Sequence, residues 1–318
     1  MNRTTLKQLR YFTALARHAH FGRAAEACAI SQPALSMQIK ELEEALGTAL
    51  IERSAKQIRL TKFGEEVLQR ARDILQAVDG LEDCARASRD RLVGQLRIGM
   101  IPTIAPYLLP TIIGKLTLQH PELDIHIRET QTANLIREIA DGRLDTAIVA
   151  LPVSEPSLTE VALFTENFLL VRPLADAQAP VPSRDKLRDM KLLLLEEGHC
   201  FRDQALSFCK MPSALSRQAL DASSLSTLVQ MVSAGIGVTL IPEMAVAVET
   251  RAVAVSVARF KEPQPARSIG MIWRKTNPLD AQLRQISDVI RLSADAARAQ
   301  HKAPAPKRQK PTAKISAQ

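Results

Sequence analysis

Phe21-Gly22-Arg23-Ala24-Ala25-Glu26-Ala27 and, after the turn Cys28-Ala29-Ile30, Ser31-Gln32-Pro33-Ala34-Leu35-Ser36 form the stretch that decides how this chain begins. The first segment predicts a short helix whose alanines let another helix cross it closely. In the second, Ser31 suits an N-cap and Pro33 a first turn, where its missing N–H costs nothing. That helix is predicted to reach about Leu46 and stop at Gly47. Along it Leu35, Ile39, Leu42 and Leu46 make one apolar stripe, with Gln32, Pro33, Ser36 and Lys40 on the other side. Upstream, Leu6, Leu9, Phe12, Leu15 and Ala16 fall at helical spacing over 6–18. Two helices joined by a short turn, the second with a small polar face at its N-terminal end, have the geometry that enters a major groove. The same periodicity also fits an ordinary three-helix bundle with a wet face.

Leu50-Ile51-Glu52-Arg53 and Gln57-Ile58-Arg59-Leu60 read as two short strands around Ser54-Ala55-Lys56. This is a β-wing that places Arg53, Lys56 and Arg59 for phosphates and shifts the balance towards DNA. From the candidate cap Thr61 a long helix follows, with Val67, Ala71, Ile74, Val78, Leu81 and Ala85 alternating four and three residues apart. Such a heptad seam is expected to pair with a second copy and so carry two reading heads to two half-sites.

Beyond Gly94 strands and helices alternate. Strands are predicted at Leu96–Ile101, Asp124–Arg128, Thr146–Ala150, Phe168–Arg172, Lys191–Leu195, Gly237–Ile241 and Ser268–Trp273. Helices are predicted near 107–119, 134–141, from Arg202, over 225–234 and near 279–297. The rhythm is that of a mostly parallel α/β region in two lobes, where ligands sit at the carboxyl ends of strands. Thr103 and Thr132 each follow a strand in this way, a position that also suits a plain helix cap.

The 318 residues exceed what one core comfortably organises, and a 46% apolar content can fill two or three. No run of about 18 apolar residues is present and the first residues lack a signal-peptide core, which excludes a helical membrane span and predicts a cytoplasmic protein. The net charge of +8 sits at the ends. Residues 1–62 carry ten Lys/Arg against five Asp/Glu, and 296–318 carry six basic residues and no acid. From about His301 the chain is Pro/Ala/Lys-rich and is expected to be a disordered basic tail.

Four cysteines in a reducing compartment argue against a permanent disulfide framework. Two of them sit in Gly198-His199-Cys200-Phe201-Arg202-Asp203-Gln204, followed by Cys209. Cys200 falls near a predicted helix start, where free N–H groups favour a thiolate, and His199 and Arg202 are placed to add to the effect. A thiolate attacks peroxide to give a sulfenic acid, which condenses with a second thiol within reach, and Cys209 is the candidate. If 200–209 is mostly helical, nine steps of ~1.5 Å separate the two by ~13 Å, whereas a disulfide needs Cα atoms within about 7 Å. Cysteines so spaced also serve as small core hydrophobes. A zinc site would have at most three ligands here, His199, Cys200 and Cys209, with no C-x-x-C spacing.

Phe21-Gly22-Arg23-Ala24-Ala25, Ser31 to Ser36, Ile39, Leu42-Glu43, Leu46-Gly47 and Leu60-Thr61 with Gly64 together resemble the N-terminal signature of LysR-type transcriptional regulators. Ile51 stands where the family usually has Phe. Within that family Gly198 to Ala205 with Cys209, and Ile101-Pro102-Thr103 running into Pro106-Tyr107-Leu108-Leu109-Pro110, are similar to peroxide-sensing members. The resemblance implies a winged helix-turn-helix over 1–62 and a dimerising linker helix over 63–92. It implies a two-lobed α/β regulatory region like a periplasmic binding protein, with lobe I at 93–166 and 268–300, lobe II at 167–267, and a tail from 301. It further implies Cys200 as peroxidatic and Cys209 as resolving cysteine, with Thr103, Thr132, His199, Asp203 and Arg267 holding peroxide and its water.

The implied partners are hydrogen peroxide, an inverted-repeat operator in double-stranded DNA, further copies of the chain as homodimer and homotetramer, RNA polymerase, and a thiol reductant of the glutaredoxin or thioredoxin type. No cofactor, metal, membrane or enzymatic turnover is implied. Phe201 replaces a more usual Leu, and Ala222-Ser223-Ser224-Leu225-Ser226 replaces the common Ala-Thr-Ser-Leu-Glu. Two other readings stay open: a regulator of this family that binds an organic effector between its lobes, and a thiol peroxidase.

Overall fold

The computed structural model describes residues 4–53, 58–87, 93–211 and 221–302. The chain divides into two compact units, Met1–Asp90 with Ala140–Arg143 and Asn277–Leu279, and Arg91–Ile139 with Leu144–Thr276 and Asp280–Gln318.

In the first unit α1 (Leu6–His18), α2 (Phe21–Ala27) and α3 (Gln32–Leu46) surround a core of Leu9, Phe12, Leu15, Leu35, Ile39 and Leu42. The predicted caps form. Thr5 and Gln8 close a capping box on α1, Ser31 Oγ accepts from Ala34 N–H at 3.3 Å, and Gly47 ends α3 at φ 69°. Strands β1 (Ile51–Arg53) and β2 (Ile58–Leu60) pair antiparallel as the wing. Glu43 on α3 fixes the wing's entry by accepting from the N–H groups of Leu50 at 2.8 Å and Ile51 at 3.2 Å.

Helix α4 (Lys62–Ala87) carries the heptad seam, but the seam splits. Ala71 is buried and Val67 packs on the head's own core, while Ile74 and Leu81 are 46% and 68% exposed. The expectation that the whole seam awaits a partner is therefore corrected: its first two members are used within the unit. Ala85 lies outside the residues whose side chains are described, as does Cys84.

The second unit is one mixed sheet flanked by helices. In chain order its elements are β3 (Gly94–Met100), α5 (Ala105–Gln119), β4 (Leu123–Glu129), α6 (Thr132–Ala140), β5 (Thr146–Leu151), β6 (Leu158–Pro173) and α7 (Arg184–Asp189). They continue with β7 (Leu192–Leu195), α8 (Cys200–Cys209), β8 (Asp221–Ala222), α9 (Leu225–Ser233), β9 (Val238–Pro242), α10 (Val246–Glu249), β10 (Val255–Ala258), β11 (Ala266–Arg274) and α11 (Asp280–Lys302). The strand order is β4-β3-β5-β11-β6-β9-β7-β8, with β10 on β6.

The expectation of a mostly parallel region is corrected. Parallel ladders link β4, β3 and β5 in one half and β9, β7 and β8 in the other, but β6 and β11 join the halves by antiparallel pairing. Strand β6 pairs with β11 along Leu158–Asn167 and then with β9 along Phe168–Val171, so one continuous strand passes from lobe to lobe. Only its second half was expected from the sequence. The first half alternates with polar residues such as Thr159, Glu160 and Glu166 and lacks the apolar run of a strand buried on both faces.

One contact ties the wing to α4. A Cβ on Gly64 would sit 2.1 Å from the carbonyl oxygen of Leu50, which accepts from Thr61 N–H at 3.0 Å. Backbone cannot yield to that overlap cheaply. Gly64→Ala is expected to lower the stability of the N-terminal unit by about 1–3 kcal/mol, read as an earlier transition in urea; an unchanged transition would contradict this packing.

Candidate functional site

Helix α8 has a cysteine at each end. Phe201, Ala205, Leu206 and Cys209 bury one stripe, Asp203 lies in the first turn where acid favours the helix, and Lys210 closes the far end in the left-handed region. Nine residues are two and a half helical turns, so the terminal thiols face opposite sides of α8, roughly 13 Å apart along its axis. That distance also rules out a shared metal ion.

Cys200 is the first helical residue and lines a small cavity of ≈ 10 Å³, space for about one water-sized molecule. Its walls come from both lobes: Pro102, Thr103, Gln131 and Thr132 from one, Gly198, His199 and Phe201 from the other. Gly198 permits this approach, because at φ 93° a Cβ there would lie 2.6 Å from the Gln131 side-chain oxygen.

Two hydroxyls face this space. Thr103 is buried, and its Oγ1 accepts from Arg267 Nη1 at 2.8 Å, which leaves its own proton to give. Thr132 Oγ1 is buried with no hydrogen-bond partner. Neither acts as a plain cap. Arg267 is itself buried, donating to the Thr103 carbonyl at 3.0 Å and to Glu166 Oε1 at 2.8 Å, with its guanidinium 5.3 Å from the centre of the Phe201 ring.

Of the residues predicted to hold peroxide, Thr103, Thr132 and His199 join Cys200 in one cavity. Arg267 touches it through Thr103. Asp203 lies one turn along α8 from Cys200, exposed, and does not line the cavity.

The electrostatic expectation for the thiol is corrected. Arg202 turns away into the lobe, where it is buried and donates to the Leu195 carbonyl and to Asp221 Oδ1 at 2.8 Å. Burial lowers the pKa of His199 against the pull of Glu196, so the ring does not supply a fixed positive charge beside Cys200. What remains is the free N–H end of α8. A neutral imidazole keeps one donor and one acceptor, which suits it to pass a proton.

Cys209 has the opposite surroundings. It is fully buried among Leu187, Leu206 and their neighbours, and burial pushes its pKa up to about 11 against the nearby Arg184 and Arg188. Arg188 further pins this end by donating to the carbonyls of Cys209, at 2.9 Å, and Lys210.

A larger open cavity of about 390 Å³ shares Thr103, Gln131 and His199 with the small one and extends to Tyr107 and Glu249. There the Glu249 carboxylate accepts from Tyr107 Oη at 2.7 Å and Ser226 Oγ at 2.6 Å. Burial and that carboxylate raise the tyrosine's pKa, keeping it a donor.

In the N-terminal unit Gln32, Pro33, Ser36 and Lys40 are all exposed on α3, and Arg59 is exposed on β2 opposite Glu52. Lys40 pairs with Glu44 at 3.6 Å. Arg53 ends β1, with its side chain outside the described residues, and Lys56 and the tail from 303 lie outside them altogether. Sequence reasoning missed Met37, which shares the exposed face of α3, and Glu166, hidden in the polar half of β6. The four-residue step from Pro33 to Met37 was the signal for the first.

A family model of the bacterial regulatory helix-turn-helix protein, lysR family, matches residues 6–65, and a model of the LysR substrate binding domain matches 89–294. The chain belongs to the LysR family of bacterial DNA-binding regulators. A probable hydrogen peroxide-inducible genes activator from Streptomyces viridosporus is 42% identical over 292 residues, 90% of this chain and 93% of that protein. The DNA-binding transcriptional dual regulator OxyR of Escherichia coli K12 is 40% identical over 294 residues, covering 91% of this chain and 96% of that protein. Full-length OxyR from Pseudomonas aeruginosa, solved as a single-site variant, matches at a TM-score of 0.71 and 37% identity over 91% of this chain and 98% of that one. Within the LysR family the chain is closely related to OxyR. No helix among the described residues is long and apolar enough to cross a membrane.

Two measurements check the site. Iodoacetamide at neutral pH is expected to label Cys200 well before Cys209, whose thiol at a pKa of about 11 stays protonated and enclosed; Cys209 labelling should quicken as pH rises. Equal labelling at neutral pH would contradict the burial. Thr132→Val removes an unpartnered buried hydroxyl, so stability should hold or rise by up to roughly 1 kcal/mol while sulfenic acid formation at Cys200 slows. Unfolding of this variant would show that the hydroxyl has a structural partner.

Proposed function

We propose that the chain is a hydrogen-peroxide-responsive transcriptional regulator in which Cys200 is the peroxidatic and Cys209 the resolving cysteine. The observation that carries this reading is the placement of the thiols at the two ends of one helix, one at a small polar cavity and the other in the core. A single molecule of peroxide fits the scale of that cavity, and the proton of the Thr103 hydroxyl and the unpartnered hydroxyl of Thr132 are suited to hold its oxygens beside the sulfur.

The Cys200 thiolate attacks one peroxide oxygen, the O–O bond breaks, and the leaving hydroxide takes a proton to become water. Cys200 is then a sulfenic acid. Condensation with the Cys209 thiol releases a second water and forms the S–S bond, completing a two-electron oxidation. Because a disulfide needs Cα atoms within about 7 Å, the condensation requires α8 to unwind and Cys209 to leave the core. Phe201 must then abandon its edge-to-face contact with Phe168, 4.8 Å between centroids. A contact of this kind is worth about 0.5–1.5 kcal/mol, so the aromatic residue here resists switching.

In this reading the chain works as a homodimer paired along the exposed part of the α4 seam and as a homotetramer on an inverted-repeat operator. The lobes divide at 166/167 and 267/268, where β6 and β11 cross. Gln32, Pro33, Ser36 and Lys40 meet base edges, and Arg53, Lys56 and Arg59 meet phosphates. The refolded lobe changes the spacing of the heads and the contact with RNA polymerase, and a thiol reductant of the glutaredoxin or thioredoxin type restores the dithiol. Arg267 acts by fixing Thr103, and Asp203 reaches the peroxide site only if the start of α8 moves.

The 390 Å³ cavity favours a second reading, since small organic ligands occupy spaces of this size. A single substitution separates the two. After a brief, low dose of peroxide, peptide mapping of the wild-type chain is expected to show a Cys200–Cys209 cross-link together with an altered footprint on inverted-repeat DNA. Cys200→Ser should abolish both, and Cys209→Ser should accumulate a dimedone-reactive Cys200 with no change in footprint. A Cys200→Ser chain whose footprint still responds to peroxide would overturn the reading, and one that responds only to an organic effector would favour the second.

A further inference from the structure

Helix α3 presents one large apolar side chain to solvent. Met37 is 56% exposed, and no other large hydrophobic residue of this helix is exposed. At 100° per residue, Pro33, Lys40 and Glu44 lie within about 60° of it around the helix axis. It therefore borders the face on which the DNA-reading residues were placed, beside Pro33 and Lys40, with Ser36 and Gln32 about 100° and 140° further round. Lys40 and Glu44 engage each other at 3.6 Å. Beside that pair Met37 offers a long flexible apolar side chain, next to the rigid apolar ring of Pro33.

An exposed methionine on a monomer's surface needs no explanation by itself. Here the surface has a defined occupant, because the unit is a winged helix-turn-helix of a DNA-binding family and α3 is the helix held by the wing through Glu43. In a major groove the only apolar group on a base edge is the C5-methyl of thymine. An unbranched thioether with three rotatable bonds adapts its tip to such a contact without fixed hydrogen-bond geometry.

We propose that Met37 is a specificity-determining residue that packs on a thymine methyl in each half-site. The proposal rests on the reading of α3 as the DNA-reading helix and adds a base preference to it. Burying one methyl-sized group corresponds to about a fourfold change in affinity. The contact therefore sharpens a preference set mainly by Gln32 and Ser36.

Replacing thymine by deoxyuridine removes that methyl and nothing else from the base. The test uses the full-length chain and a duplex that the wild-type protein selects from a random-sequence pool, with its thymines exchanged for deoxyuridine one at a time. The wild type is expected to lose about fourfold in affinity at one thymine of each half-site. Met37→Ala should bind thymine and deoxyuridine forms of that position equally while keeping every other preference, and Met37→Leu should restore the discrimination. Alanine on an exposed helical position keeps the fold, which an unchanged melting curve verifies.

A Met37→Ala chain that retains the methyl discrimination overturns the proposal, as does a wild type indifferent to every thymine methyl. Gln32→Ala separates the two levels. If it loses sequence preference while Met37→Ala keeps all methyl effects, only the role of Met37 fails. If the wild type selects no sequence at all, the reading of α3 fails with it.

Discussion

A ten-residue helix holds two thiols apart, and the function proposed for the regulatory region follows from that separation. The α8 sequence fills its buried stripe with Phe201, Ala205, Leu206 and Cys209 and is capped by Lys210, so its length is fixed by packing. Within that length the two sulfurs differ in every respect that matters for chemistry. One meets a water-sized cavity at a helix N-terminus; the other is enclosed among leucines with its thiol proton held up to about pH 11. In the proposed function this asymmetry gives attack to Cys200 and makes Cys209 available only after the fold gives way. A disulfide between closer cysteines would record oxidation without changing shape.

Arg267 connects this helix to the frame. It stands opposite Glu166 in the register of the two long strands, and the pair is almost wholly buried. A charge so placed is tolerated because its donors are used on Glu166 and on both oxygens of Thr103. The same guanidinium lies against Phe201, the second residue of α8. The crossing strands, the cavity wall and the start of α8 thus share one side chain, and under the proposed function a change at Cys200 would reach strands that belong to both lobes. Phe201 makes that connection stiffer than a smaller aliphatic residue would.

Much of this was legible in the sequence, and for identifiable reasons. Ser31, Pro33 and Gly47 bound α3 because capping chemistry is local, and the stripe of Leu35, Ile39 and Leu42 fixes which face is buried. The helical spacing of Cys200 and Cys209 was likewise readable, because it depends only on residue count. The antiparallel crossing was not, since the polar first half of β6 gains its strand pairing from β11, about a hundred residues away. Arg202 misled because adjacency in sequence is not adjacency on a helix: two residues on from Cys200 it points into the lobe and finds Asp221. Burial also reversed the expected contribution of His199, and no local pattern carries that information.

On this geometry oxidation cannot link the two cysteines while α8 stays intact. Amide hydrogen exchange of residues 200–209, followed in the full-length dithiol protein and after one equivalent of peroxide, tests it directly. Exchange across α8 is expected to be slow in the dithiol form, with that protection lost in step with appearance of the Cys200–Cys209 bond. A cross-linked protein whose α8 amides remain as protected as before would contradict it.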